Sequence, residues 1–216
     1  MDTQAGISGT LQRVLLSFGI LAPLVYLAAD RIAGRLLKGY SFAAQSMSEL
    51  SAAGSPTRAL VVPLNAAAAG LMIAFGIGVW RAAGPAVLPR VVAGLVIGNA
   101  AASLFSTLFF PNTFGVRPVF ASPGVLIMFF SVLFSVLACI FGAAAYSGWL
   151  RVFSIALPAA FILLAAVRLA TAAPGTSESM IGSQERTMAY AFYAWIIALA
   201  VYLLALASKG SGTPGS

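Results

Sequence analysis

The sequence contains no histidine and a single cysteine, and only 8% of its 216 residues are charged. Each shortage excludes something. Without histidine, the commonest metal ligand and the commonest general base are both missing. A single cysteine, Cys139, forbids an internal disulfide and carries no information about redox compartment. Soluble domains carry about 25% charged residues. A chain with so little charge, 61% hydrophobic and with a mean hydropathy of +0.99, must expose apolar surface to an apolar medium. The net charge of +7 is no nucleic-acid signature, because the Lys and Arg residues do not gather on one soluble face. There is no His-based triad, no Cys/His metal set and no phosphate-binding glycine pattern, so neither a cofactor nor a metal is expected.

What the chain has instead is long apolar runs. A helix needs about 18 to 20 apolar residues to cross a bilayer. Six runs qualify, at about 11–29, 60–80, 91–110, 124–146, 152–171 and 188–207. In lipid, backbone polar groups must be paired within their own segment, so these runs predict helices. Barrel strands alternate polar and apolar residues, which these runs do not. The expected fold is all-α: a polytopic membrane protein with one six-transmembrane-helix bundle over 1–207, a short interfacial helix between helices one and two, and a flexible tail over 208–216. Arg13, the first run and Ala28-Ala29 loosely fit a cleavable leader, but the run is long for that and five more follow.

The connections alternate in character. Residues 81–90 and 147–151 are short and hold Arg81, Arg90 and Arg151 without an acid. Residues 30–59, 111–123 and 172–187 are longer and hold Asp30, Glu49, Glu178 and Glu185. Six spans put both termini on the side of the short connections. The Lys/Arg count mildly opposes a cytoplasmic N-terminus. The short, acid-free connections nevertheless assign the termini to the cytoplasm of a cell membrane, such as the bacterial inner membrane. Ser55-Pro56 and Ser122-Pro123 read as N-cap and first-turn pairs opening helices two and four. Ala66, Gly70, Ala74 and Gly78, and likewise Gly94, Gly98, Ala102 and Ser106, form small-residue stripes along which helices two and three pack within the bundle.

Against this background the polar stretch at 46–58 stands out. Ser46 and Glu49 have the spacing of a capping box, with Ala43, Met47 and Leu50 on one face of a turn lying at the membrane surface. Glu49 then serves its own helix. The alternative is an acid at the mouth of the bundle that binds a cation or an amphiphile headgroup. Asn65 and Asn99 are the most polar side chains deep within runs. They either tie helices together or orient a polar group of a ligand. Arg168 either snorkels toward the interface or meets a lipid phosphate or a nearby acid, and Arg117 offers the same chemistry. Glu185 either complements a helix dipole or joins the site. With Ser48, Arg58 and Arg186 these residues make the candidate ligand-binding set. No acid falls within a run, which argues against a proton-coupled transporter.

Three stretches carry a resemblance: Ser48-Glu49-Leu50-Ser51 leading through Gly54-Ser55-Pro56-Thr57-Arg58, then Phe110-Pro111, then Gly182-x-x-Glu185-Arg186 with Trp195 beyond. In these the chain resembles the multipass membrane family known as domain of unknown function (DUF) 998, of bacteria and archaea, over nearly its whole length. The family pattern has an acid after the Phe-Pro and a histidine further along; here Asn112 follows Pro111 and no histidine exists. The resemblance implies a six-helix fold and a polar cluster built from the odd-numbered loops, with no established activity.

The expected function is binding of a lipid or other amphiphile through a polar lid on the non-terminal side, over an apolar interior. Two other classes stay open. One is a membrane enzyme acting on a lipid headgroup, with Glu49 or Glu185 as base. The other is an accessory or assembly subunit bound to another membrane protein. Membrane lipids are the expected partner, and nucleic acid is not.

Overall fold

The computed structural model describes residues 2–115, 123–171 and 181–210, without the side chains of 2–8, 125, 128, 161, 164–171, 181 and 210. Among them are six α-helices: α1 Asp2–Leu36, α2 Arg58–Ala82, α3 Val87–Phe109, α4 Pro123–Ala145, α5 Trp149–Thr171 and α6 Ile181–Gly210. A short 3-10 helix, Met47–Ser51, lies between α1 and α2. The described residues form no strand beyond one isolated bridge, Ala53 with Thr113. Four stretches are long and apolar enough to cross a membrane: Gly9–Leu36, Arg58–Ala82, Val87–Phe109 and Gly182–Lys209. The described parts of α4 and α5 hold the shorter apolar stretches Phe129–Ala145 and Trp149–Ala160.

Each helix packs on its neighbours in sequence, and α6 returns to α1. The main core gathers side chains from all six helices around fully buried Trp195, with Phe75, Leu16, Val96, Leu150 and Leu199. A second, smaller core, Ala33, Leu50 and Val61, lies at the opposite end, under the 3-10 helix. Close approach in the main core depends on small residues. A Cβ at Gly142 would stand 2.6 Å from the Trp195 ring, and the Trp195 indole donates to Ser154 Oγ at 2.8 Å.

Several expectations change. The small-residue stripes hold only in part: Gly78 abuts Leu15 of α1 and Gly98 abuts Phe134 of α4, whereas Gly70 and Gly94 meet nothing within 4 Å. Gly76, outside the stripe, makes the close contact with Ile97 and Ala93 instead. Helix α2 starts at Arg58, not after Ser55: Ser55 is buried and shares a 3.0 Å hydrogen bond with Thr57 Oγ1, which donates to Leu50 O at 2.8 Å. Ser122 lies outside the described residues. The largest differences are at α1, which runs past residue 29 to Leu36, and α6, which begins at Ile181 and not near 188. The charged residues Asp30, Glu185 and Arg186 do not end these helices but lie inside them, where Asp30 and Arg186 face each other.

Candidate functional site

Asp30 on α1 and Arg186 on α6 form an ion pair, with Nη2 to Oδ1 at 2.9 Å and Nε to Oδ2 at 3.1 Å. Both side chains are buried. An unpaired charge here would cost several kcal/mol, by an order-of-magnitude argument from desolvation; two hydrogen bonds in a forked geometry offset that cost. Tyr190 donates a short hydrogen bond to Asp30 Oδ2. The pair thus places an acid within a span-length helix, where the sequence reading found none.

Arg186 also holds the chain between α1 and the 3-10 helix. Its Nη1 donates to the carbonyls of Phe42 (2.7 Å), Gln45 (3.0 Å) and Gly182 (3.2 Å), and Nη2 donates to the Tyr40 hydroxyl at 2.5 Å. The guanidinium lies over the Phe42 ring at 4.9 Å. Those carbonyls reach Arg186 only because residue 182 is glycine: a Cβ there would meet Gln45 O at 2.1 Å and Phe42 O at 2.6 Å. Gly34 gives Phe42 its seat in the same way, with the ring 2.4 Å from where a Cβ would be. Burial pushes the Tyr40 phenol up to about 12, with the bond to Arg186 pulling the other way.

Glu185, next along α6, turns to the 3-10 helix. Its Oε2 accepts from Ser46 Oγ (2.7 Å) and from Met47 N (2.9 Å). The expected capping box is present: Ser46 Oγ accepts from Ser48 N at 3.1 Å, and Glu49 Oε1 accepts from Ser46 N at 3.3 Å. Glu49 Oε2 accepts from Gln45 Nε2 at 2.9 Å. Met47 and Leu50 are buried beneath the turn, while Ala43 is exposed and outside the helix. Ser48 Oγ accepts from Asn112 Nδ2 at 3.0 Å, and Asn112 O accepts from Ala53 N at 2.7 Å. The three stretches around Ser48, Pro111 and Gly182 therefore meet in one cluster. Residues 39–54 form a loop latched to α6 by Glu185 and Arg186 and to the α3–α4 connection by Asn112. Gly39 (φ 75°) and Gly54 (φ 87°) mark its ends, in a backbone region that favours glycine.

The other candidates are dispersed. Arg58 Nη1 donates a short bond to Ser51 O. Asn99 is buried between α3 and α4, where its amide donates to Ser131 O (2.7 Å), Ser131 Oγ (3.0 Å) and Ser135 Oγ (2.9 Å). Asn65 is half-buried and has no hydrogen-bond partner among the described residues. It lines a recess of about 10 Å³, room for one water-sized sphere, together with Tyr26, Asp30, Met47, Leu50 and Val61. Arg117 and the side chain of Arg168 lie outside the described residues. Sequence reasoning missed Asp30, Tyr40 and Tyr190. The available signal was an Asp30-Arg31 pair and a Glu185-Arg186 pair at the facing ends of the first and last apolar runs.

Below the loop, inner-face positions change character. On α3, Val92, Val96 and Ala100 are buried, but Ser103, one turn further on the same face, is exposed. On α6, Phe192, Trp195 and Leu199 are buried, but Met188, one turn earlier on that face, is 44% exposed. Ser103 Oγ shares a 2.9 Å hydrogen bond with Ser131 Oγ of α4. Among the described residues, the main core thus ends before α3 and α6 do.

These features define a helical bundle of membrane-spanning length with a loop latched over its non-terminal end. The chain belongs to the DUF998 family: the family's model, described as a protein of unknown function, matches residues 20–202. No curated protein and no solved structure matches it.

Proposed function

We propose that the protein is an integral membrane protein of six spans, with cytoplasmic termini in a cell membrane, that binds a lipid or other amphiphile between the outer halves of its helices. The observation that carries this reading is the exposure of Ser103 and Met188 on faces that are buried one turn deeper. A bundle that packed its interior to the end would cover both. The apolar chain lies in this cleft, and the latched loop roofs it. The residues expected to bind the headgroup directly have a different part: Ser48, Glu49, Arg58 and Arg186 hold the roof, and Asn99 joins α3 to α4. Asn65 is left to face the ligand. An enzyme with Glu49 as base gains no support, because one of its oxygens is engaged in the cap and the other by Gln45 Nε2.

The test is native mass spectrometry of the full chain from mild detergent. Copurifying lipid is expected with the wild type and should be lost when Ser103→Leu fills the cleft. A wild type that carries no lipid overturns the reading.

A further inference from the structure

Asp30, Arg186 and Glu49 are spent on the protein itself, and the exposed cations Arg31, Arg35 and Lys38 do not line the recess. Asp30 uses both oxygens on Arg186 and Tyr190. All the nitrogens of Arg186 have acceptors. Glu49 is engaged through both oxygens. Arg31 lies over the rings of Phe42 (5.3 Å) and Tyr190 (5.4 Å). The polar groups left over are of another kind. Asn65 offers a whole amide, and the Tyr26 hydroxyl has only the Met47 sulfur at 3.9 Å. Both line the recess beside Asp30, and the recess admits one water-sized group. Glu185 keeps its second oxygen without a partner among the described residues.

We infer that the ligand is an amphiphile with an uncharged, hydroxyl-bearing head of the diacylglycerol kind, and that one head oxygen sits in the recess between Asn65, Tyr26 and Asp30. This rests on the cleft reading above. A phosphate there would bring a negative charge beside Asp30, and no cation lines the recess. Burying it without a free cation is costly. An ammonium head would be buried beside Arg186, with only one free carboxylate oxygen to receive it. A hydroxyl meets neither obstacle: it donates to the Asn65 carbonyl or to Asp30 and accepts from the Asn65 amide or from Tyr26.

The experiment places the full chain in phosphatidylcholine nanodiscs doped equally with diacylglycerol, phosphatidic acid and a long-chain amine, then measures retained adducts by native mass spectrometry. Diacylglycerol should be enriched over both charged lipids. Asn65→Leu and Tyr26→Phe should each lower its retention, by about tenfold for a lost hydrogen bond of about 1.4 kcal/mol. Asn65 has no partner among the described residues to lose, so the thermal midpoint of Asn65→Leu should not fall, which separates lost binding from misfolding. Preferred retention of phosphatidic acid or the amine overturns the headgroup assignment and leaves the cleft standing. Full diacylglycerol retention by both variants overturns the placement in the recess, which then holds only water. No adduct of any lipid sinks the assignment and the cleft together.

Discussion

Arg186 Nη2 stands 2.9 Å from Asp30 Oδ1, joining residues 156 positions apart and fixing the start of the last helix to the end of the first. Removing one partner leaves a buried charge alone. Arg186→Met is therefore expected to destabilise by about 3–5 kcal/mol, as is Asp30→Leu. The double variant should lose clearly less than the sum, because no bare charge remains. Arg186→Lys should not rescue, since an ammonium cannot reproduce the fork. Thermal or denaturant unfolding in detergent, arranged as a double-mutant cycle, measures all four. Purely additive losses would contradict the pairing.

Gly182 is the contact on which the latch closes. A methyl group there would sit 2.1 Å from Gln45 O, so Gly182→Ala must push the loop away. Overpacking of this kind costs about 1–3 kcal/mol. Limited proteolysis or hydrogen exchange should find residues 39–54 opened in the variant while α2 and α3 stay protected.

Asn99 and Asn65 are the same residue type in adjacent helices, with opposite expected responses. Asn99→Leu removes a donor to three acceptors on α4 and should destabilise by roughly 0.6–2 kcal/mol. Asn65→Leu should leave stability unchanged or raise it. Comparing the two thermal midpoints in one detergent checks both, and equal losses would contradict the assignment.

Glu49 serves the cap. Glutamine can take the same place in a capping box, so Glu49→Gln should change stability by only a few tenths of a kcal/mol. Glu49→Ala frees the Ser46 and Gln45 donors and should cost about 0.5–2 kcal/mol. A lipid-binding loss in Glu49→Gln at unchanged stability would instead make Glu49 a ligand residue.

Tyr40 gives the latch an alkaline limit. Burial raises its phenol from 10 to about 12, so the native state holds the proton more tightly than the unfolded chain. That contribution to stability is complete below pH 10 and is lost as pH rises toward 12. The thermal midpoint should fall less steeply above pH 10 in Tyr40→Phe than in the wild type.

Much of this was legible from the residues in order. The apolar runs give the helices, since lipid offers the backbone no other partner. The capping box is local and depends only on Ser46 and Glu49. The proximity of Ser48, Asn112 and Glu185 follows from counting helices, which puts their loops at one end. Asp30 was not legible as a site residue, because an acid ending an apolar run reads as the edge of the membrane.

The sequence by itself determined which segments are helical, which end of the bundle is polar and how the 46–51 turn is capped, because each depends on hydropathy or on contacts within one turn. Only the tertiary structure decided what the charges do. It turned Asp30 and Arg186 into a buried pair, gave Glu185 to the loop and Glu49 to its own cap, and left Asn65 without a partner among the described residues. A charge in low dielectric is set by the group that faces it, and here that group lies on another helix.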